Sequence, residues 1–179
     1  MKPDAPIRRP VEIELKLALP TSHPSSLVRQ LARTPLLARR KATHQNLHDS
    51  YYDTPEQLLR QAHIALRLRR VGTDEKPQWL QTLKTGGRSH SALSLRGEWE
   101  ASVPSAKLVL SVLKSTPWST FDPDGAVFGA LAPCFVTSFE RTSWTVHRRD
   151  GSLIEVALDL GHITVARRVH PFVSWSLNC

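Results

Sequence analysis

The stretch Val11-Glu12-Ile13-Glu14-Leu15-Lys16-Leu17 sets two carboxylates and an ammonium on alternate positions of an aliphatic run. Side chains of a β-strand alternate faces with a period of two, so Glu12, Glu14 and Lys16 share one face and the four aliphatics cover the other. Two carboxylates about 7 Å apart along a strand repel unless a cation sits between them. The spacing therefore fits either a bound metal or basic ligand shell, or the solvated outer face of an antiparallel sheet.

The same division recurs further along the chain. Arg67 and Arg69 alternate with Ile64, Leu66 and Leu68; Ser94, Arg96, Glu98, Glu100 and Ser102 face away from Leu95, Trp99, Ala101 and Val103; Glu155 and Asp159 oppose Ile154, Val156, Leu158 and Leu160. Taken singly, each stripe reads as wet sheet surface. Closing such strands into a barrel points both signs of charge into one interior. Buried charge is tolerated when paired or metal-bound, so the occupant that suits this interior is a polyanion held by Arg and Lys, with divalent cations held by Glu and Asp. Oxygen-only ligands favour magnesium or manganese over zinc.

The 179 residues are read as one domain, and the formal charge of +8 favours an anionic partner. Cys134 and Cys179 lack C-x-x-C spacing, which indicates neither a disulfide framework nor a zinc site; Cys134 is expected to be a small buried residue. No signal-peptide pattern and no apolar run of about 20 residues is present, so a soluble, cytoplasmic chain is expected. A helix is predicted through Leu27, Leu31 and Ala32, an extended segment over 38–53, and a helical turn after Pro55. Strands follow over 64–71, 78–85 and 93–103, then a second helix from Pro104 to about Lys114 and a loop over 117–132 with room for one helical turn. Strands near 135–149 and 152–160 flank the hairpin signal Asp150-Gly151, and a separate strand covers 162–169. The class is α+β: an antiparallel, strand-dominated fold or barrel.

The ordered pieces Glu12-Ile13-Glu14-Leu15-Lys16, Tyr51-Tyr52-Asp53-Thr54, Ala65-Leu66-Arg67-Leu68-Arg69, Thr82-Leu83-Lys84, Arg96-Gly97-Glu98-Trp99-Glu100, Phe139-Glu140-Arg141 and Glu155 to Gly161 resemble the CYTH family, the triphosphate tunnel metalloenzymes. The set is similar in particular to bacterial inorganic triphosphatases in which a CYTH domain precedes a helical CHAD domain. The resemblance implies an eight-stranded antiparallel β-barrel with flanking helices, hydrolysis of inorganic triphosphate, and magnesium or manganese as cofactor. It implies metal-binding roles for Glu12, Glu14, Glu98, Glu100 and Asp159, and triphosphate-binding roles for Lys16, Arg67, Arg69, Lys84, Arg96 and Arg141. Glu12, Glu14, Lys16 and Asp159 are the catalytic candidates. Tyr51 to Thr54 is expected to be structural, shaping the strand end.

The tail departs from this pattern. Where the family continues into a strand of alternating glutamates, residues 170–179 contain no acid. Val173 to Cys179 can be encoded GTG AGC TGG AGC TTG AAC TGC, which read from the third base gives Glu-Leu-Glu-Leu-Glu-Leu. A frame slip before the last strand is therefore expected, with an incomplete barrel, unpaired strand edges and a lumen overbalanced toward base; the alternative is that Phe172 to Leu177 form a hydrophobic last strand and the codon match is chance. Adenylate cyclase and thiamine triphosphatase activities share the implied tunnel. From a different class, binding of polyphosphate or RNA without turnover would draw on Arg39-Arg40-Lys41, Arg148-Arg149 and Arg167-Arg168. These runs read more simply as solvated surface, so neither a nucleic acid nor a membrane is the expected partner.

Overall fold

The structure, a computed structural model, describes residues 11–17, 24–73, 75–86, 89–90 and 93–178. Among the described residues there are nine strands: β1 (Val11–Leu17), β2 (Thr43–Asp53), β3 (Ile64–Gly72), β4 (Pro77–Thr85), β5 (Ser89–His90), β6 (Leu93–Val103), β7 (Ala132–His147), β8 (Leu153–Val165) and β9 (Arg168–Asn178). They pair in the order β1-β9-β8-β7-β2-β3-β4-β6, and β6 returns to β1, so eight antiparallel strands close on themselves. The two-residue β5 pairs only with the start of β6.

Alternation decides what lies on each side of this wall. The apolar sets pack outside it. Leu66 of β3 and Leu83 of β4 meet Leu59, Leu113 and Trp118, with Trp99 of β6 against them. Trp144 and Val146 of β7 and Val156 of β8 meet Leu37, and α1 (Pro24–Ala32) adds Val28 and Leu31. Burying each large apolar side chain contributes roughly 1.5–3 kcal/mol, so the two external clusters stabilise the fold while the inside stays polar. Polar groups that reach the outer layer are satisfied there: Gln81, 2% exposed, donates to the Val109 carbonyl at 3.1 Å and accepts from the Val109 amide at 2.7 Å.

Several expectations change. The helix over 104–114 is reduced to a 3-10 turn at Leu110–Leu113, because the segment is tied across the sheet through Gln81 rather than wound on itself. The 117–132 loop holds two short helices, Trp118–Phe121 and Ala126–Gly129, the second capped by Asp122, whose carboxylate accepts from the Val127 and Phe128 amides at 3.0 and 2.9 Å. Gly161 does not start a new strand but lies inside β8. A Cβ there would run into the Ser138 carbonyl and the Phe139 backbone, so glycine lets β8 cross β7 closely.

The tail also differs from expectation. β9 pairs along β8 from Arg168 to Asn178 and with β1 from Trp175 to Asn178, leaving no missing stave. Trp175 and Leu177 pack outward on the Trp144 cluster, while Ser176 is buried opposite Ala157. The period-two polarity that a strand requires survives in this sequence even without carboxylates.

Candidate active site in the barrel lumen

The inward positions of β2, β3, β4, β6, β7 and β8 bring together Asp49, Arg67, Arg69, Lys84, Glu98, Glu100, Arg141, Glu155 and Asp159. Arg69 forks onto Asp49, Nε and Nη2 donating to its two oxygens at 2.7 Å each. Arg67 Nη1 lies 3.6 Å from the same carboxylate. Its Nη2 donates to Thr82 Oγ1 at 3.0 Å and reaches Glu100 at 3.4 Å and Glu98 at 3.8 Å. Lys84 Nζ sits 3.2 Å from Glu98. Across the cavity Arg141 forks onto Asp159, with both bonds at 2.8 Å, and lies 3.8 Å from Glu155. Phe139 stands between the two forks, its ring centroid 5.9 Å from Arg69 Cζ and 5.7 Å from Arg141 Cζ.

Burial alone would weaken the charge of Arg69, but the hydrogen bonds and charge of Asp49 outweigh it and raise the guanidinium pKa above its usual value. Burial acts the same way on Arg141, and Asp159, then Glu155, more than offset it. Both arginines are fixed cations. The two short Arg–Asp forks are planar and bidentate, the geometry by which guanidinium also grips phosphate oxygens.

The structure thus brings Arg67, Arg69, Lys84, Arg141, Glu98, Glu100 and Asp159 to one cavity. Glu14 is in β1, opposite Asn178. The side chains of Glu12, Lys16 and Arg96 fall outside the described residues; their backbones pair, Glu12 with Arg96 and Lys16 with Ser176. Two lumen acids were not predicted as site residues. Glu155 stood in the sequence pattern without a role, and Asp49 was missed. With them every described lumen arginine and Lys84 has an acid beside it. Asp49 shares a strand face with Leu47 and Tyr51, but with His48 and Ser50 on the other face the sequence marks neither side as inward.

Asp53 is structural, as expected: its carboxylate accepts from the amides of Thr54, Leu59 and Arg60 at 2.8, 2.9 and 3.2 Å and caps α2 (Leu58–Gln61). Cys134 is exposed rather than buried. It is the unopposed residue of a bulge where the β2–β7 register shifts between Tyr51 and Tyr52, and a bulged residue loses its place in the wall. Near it one end of the barrel opens into a cavity of about 870 Å³ whose wall includes Lys84 and the stacked rings of Tyr51 and Phe135.

The donors available to a divalent cation are hard oxygens, as magnesium and manganese prefer. Among the described residues no group of three His, Cys, Asp or Glu side chains could hold a metal. Asn178, however, lies between Glu14 on β1 and Glu155 on β8, and its Oδ1 is buried without a hydrogen-bond partner. An oxygen without a donor beside carboxylates suits a cation, so the residues present fit such an ion at that row. β9 otherwise offers the lumen only Ser174 and Ser176 where glutamates were expected.

A closed antiparallel barrel whose charge lies inside and whose apolar cores lie outside defines a class of tunnel proteins. Residues 11–169 match the CYTH domain, and the chain belongs to the CYTH family. It is 32% identical over 167 residues to the inorganic triphosphatase of Haemophilus influenzae, across 89% of this chain and 42% of that protein, so it spans less than half the length of that relative. A protein from Hippeastrum, assigned as an adenylyl cyclase and found to have a dominant triphosphatase activity, superposes with a TM-score of 0.58 at 16% identity over 94% of this chain and 78% of that one. A Bacillus halodurans protein assigned as an adenylate cyclase gives 0.52 at 17% identity, over 94% and 80%. A Pyrococcus horikoshii protein gives 0.52 at 15% identity, over 94% and 76%. At these identities the structural likeness is one of fold. No helix among the described residues is long and apolar enough to cross a membrane.

Proposed function

We propose that the chain hydrolyses inorganic triphosphate to pyrophosphate and phosphate, with magnesium or manganese as cofactor. The observation that carries this reading is the pair of Arg–Asp forks flanking one lumen, with Arg67 and Lys84 beside them, in a chain related to a triphosphatase. A triphosphate entering the lumen replaces carboxylates as the acceptor for these cations. Arg67, Arg69, Lys84 and Arg141, with Lys16 and Arg96, hold the oxygens on which charge accumulates as the terminal bond breaks. The released carboxylates, Asp159, Glu98 and Glu100, join Glu12 and Glu14 as the metal-holding set, with Glu155 and Asn178 beside Glu14. Bound there, a divalent ion would neutralise the triphosphate and acidify the attacking water.

The test is phosphate release from tripolyphosphate with either metal, run beside ATP and thiamine triphosphate. Tripolyphosphate is expected to be the best substrate, and Glu12→Ala is expected to abolish turnover. Binding that survives Glu12→Ala without any hydrolysis would instead support a polyphosphate-binding module. The frame slip is proposed as the origin of the neutral β9; reading codons 168–173 decides it, and a variant whose terminus is restored to alternating glutamates is expected to turn over faster at limiting metal.

A further inference from the structure

Asp49 is more enclosed than Asp159, whose side chain is 11% exposed on its own arginine fork. Asp49 is 1% exposed, and both its oxygens are committed to Arg69, with Arg67 at 3.6 Å. Glu100 and Glu155, by contrast, have side chains 41% and 44% exposed and open onto the cavity. A carboxylate this enclosed has no free edge for a phosphate, a metal or a water. It can act on a ligand only through the groups it holds.

Of these groups Arg69 is the one held chiefly by Asp49, whereas Arg67 is also tied to Thr82 and Glu100. Arg69 is flanked by the Phe139 ring, which offers no hydrogen bond, and Arg67 keeps a buried Nε without a partner. The geometry points to Asp49 as a positioning residue that turns the Arg67 and Arg69 guanidiniums to the orientation in which they meet the transferring phosphoryl group, an inference that rests on the triphosphatase reading. It also holds the local charge down, so that the two arginines do not grip the ground-state anion too tightly. Interactions equally strong before and during bond cleavage do not speed it, and Asp49 keeps the arginines in reserve for charge that develops later.

Asp49→Asn tests this in the full chain. The substitution keeps the shape and removes the charge, leaving the guanidiniums to turn onto the ligand. Tripolyphosphate should bind about fivefold more tightly, because the guanidiniums no longer share their charge with a carboxylate. Turnover should fall about tenfold because the forks are no longer aligned. KM and kcat therefore drop together, a split that a merely structural defect would not give. An unchanged kcat, or a raised KM, overturns the proposal. If Asp49→Asn does not fold, Asp49→Glu, which keeps the charge and displaces the fork, is used; it is expected to lower kcat about tenfold, and wild-type kcat in it overturns the proposal equally. Calorimetric titration of tripolyphosphate separates this outcome from failure of the activity itself. Wild-type chain that binds but releases no phosphate defeats the triphosphatase reading, whereas Asp49→Asn binding no tighter than wild type defeats the role of Asp49.

Discussion

A single lumen residue is stable only as part of a pair, which makes its removal more costly than its presence is beneficial. Arg141 and Asp159 have side chains 20% and 11% exposed, so solvent does little to screen either charge. Arg141→Leu leaves the carboxylate buried without its counter-ion and should cost about 3 kcal/mol in urea unfolding, whereas Arg141→Leu/Asp159→Leu should cost much less. A double variant no more stable than the single one would mean that the pair is not coupled. Much of this chemistry was legible in the residues, because Arg67, Glu98 and Asp159 lie in stripes opposite apolar residues, while the role of Arg141 came from the family resemblance. Asp49 was not legible in either way. Its strand reads His48-Asp49-Ser50, polar on both faces, and only the register Asp49 opposite Arg69 and Thr137 shows which face is inside.

Strands carried the legible part of the fold, and their ends did not. β3, β4 and β6 follow their predicted bounds within a residue, since a two-residue period sustained over a strand leaves no helical alternative. The interruption predicted at Gly161 failed because glycine there answers to a neighbour rather than to its own strand. β7 lies so close that an added methyl has no room, and Gly161→Ala should destabilise the barrel by about 2 kcal/mol through overpacking against Phe139. At Gly151 the reason is local: φ is +83° in the Asp150-Gly151 hairpin, with nothing within 4 Å of the absent Cβ. Melting curves should therefore show Gly161→Ala unrelieved when Phe139 is shortened to Leu, because the Ser138 carbonyl and the Phe139 Cα and Cβ that block the methyl stay in place. Recovery of Gly161→Ala in the Phe139→Leu background would remove this backbone explanation.

At the scale of the molecule, the barrel inverts the usual arrangement, and this separates two electrostatic jobs. Described lumen bases are each matched by an acid, while basic residues such as Arg39, Lys41, Arg148 and Arg149 are exposed on the outside. That exterior charge attracts any polyanion and is screened by salt; the lumen selects one that can replace several carboxylates at once. A ligand that only decorates the surface binds folded and unfolded chains alike, whereas one in the lumen exists only while the eight strands are closed. Tripolyphosphate at about a hundred times its Kd should therefore add about 2.7 kcal/mol to the unfolding free energy and raise Tm by roughly 5–10 °C. Sulfate at the same ionic strength should raise it far less, because a compact anion cannot span from the Arg69 fork to the Arg141 fork. Differential scanning fluorimetry reads both, and an equal shift from the two salts would place the bound anion on the exterior and leave the lumen without its ligand.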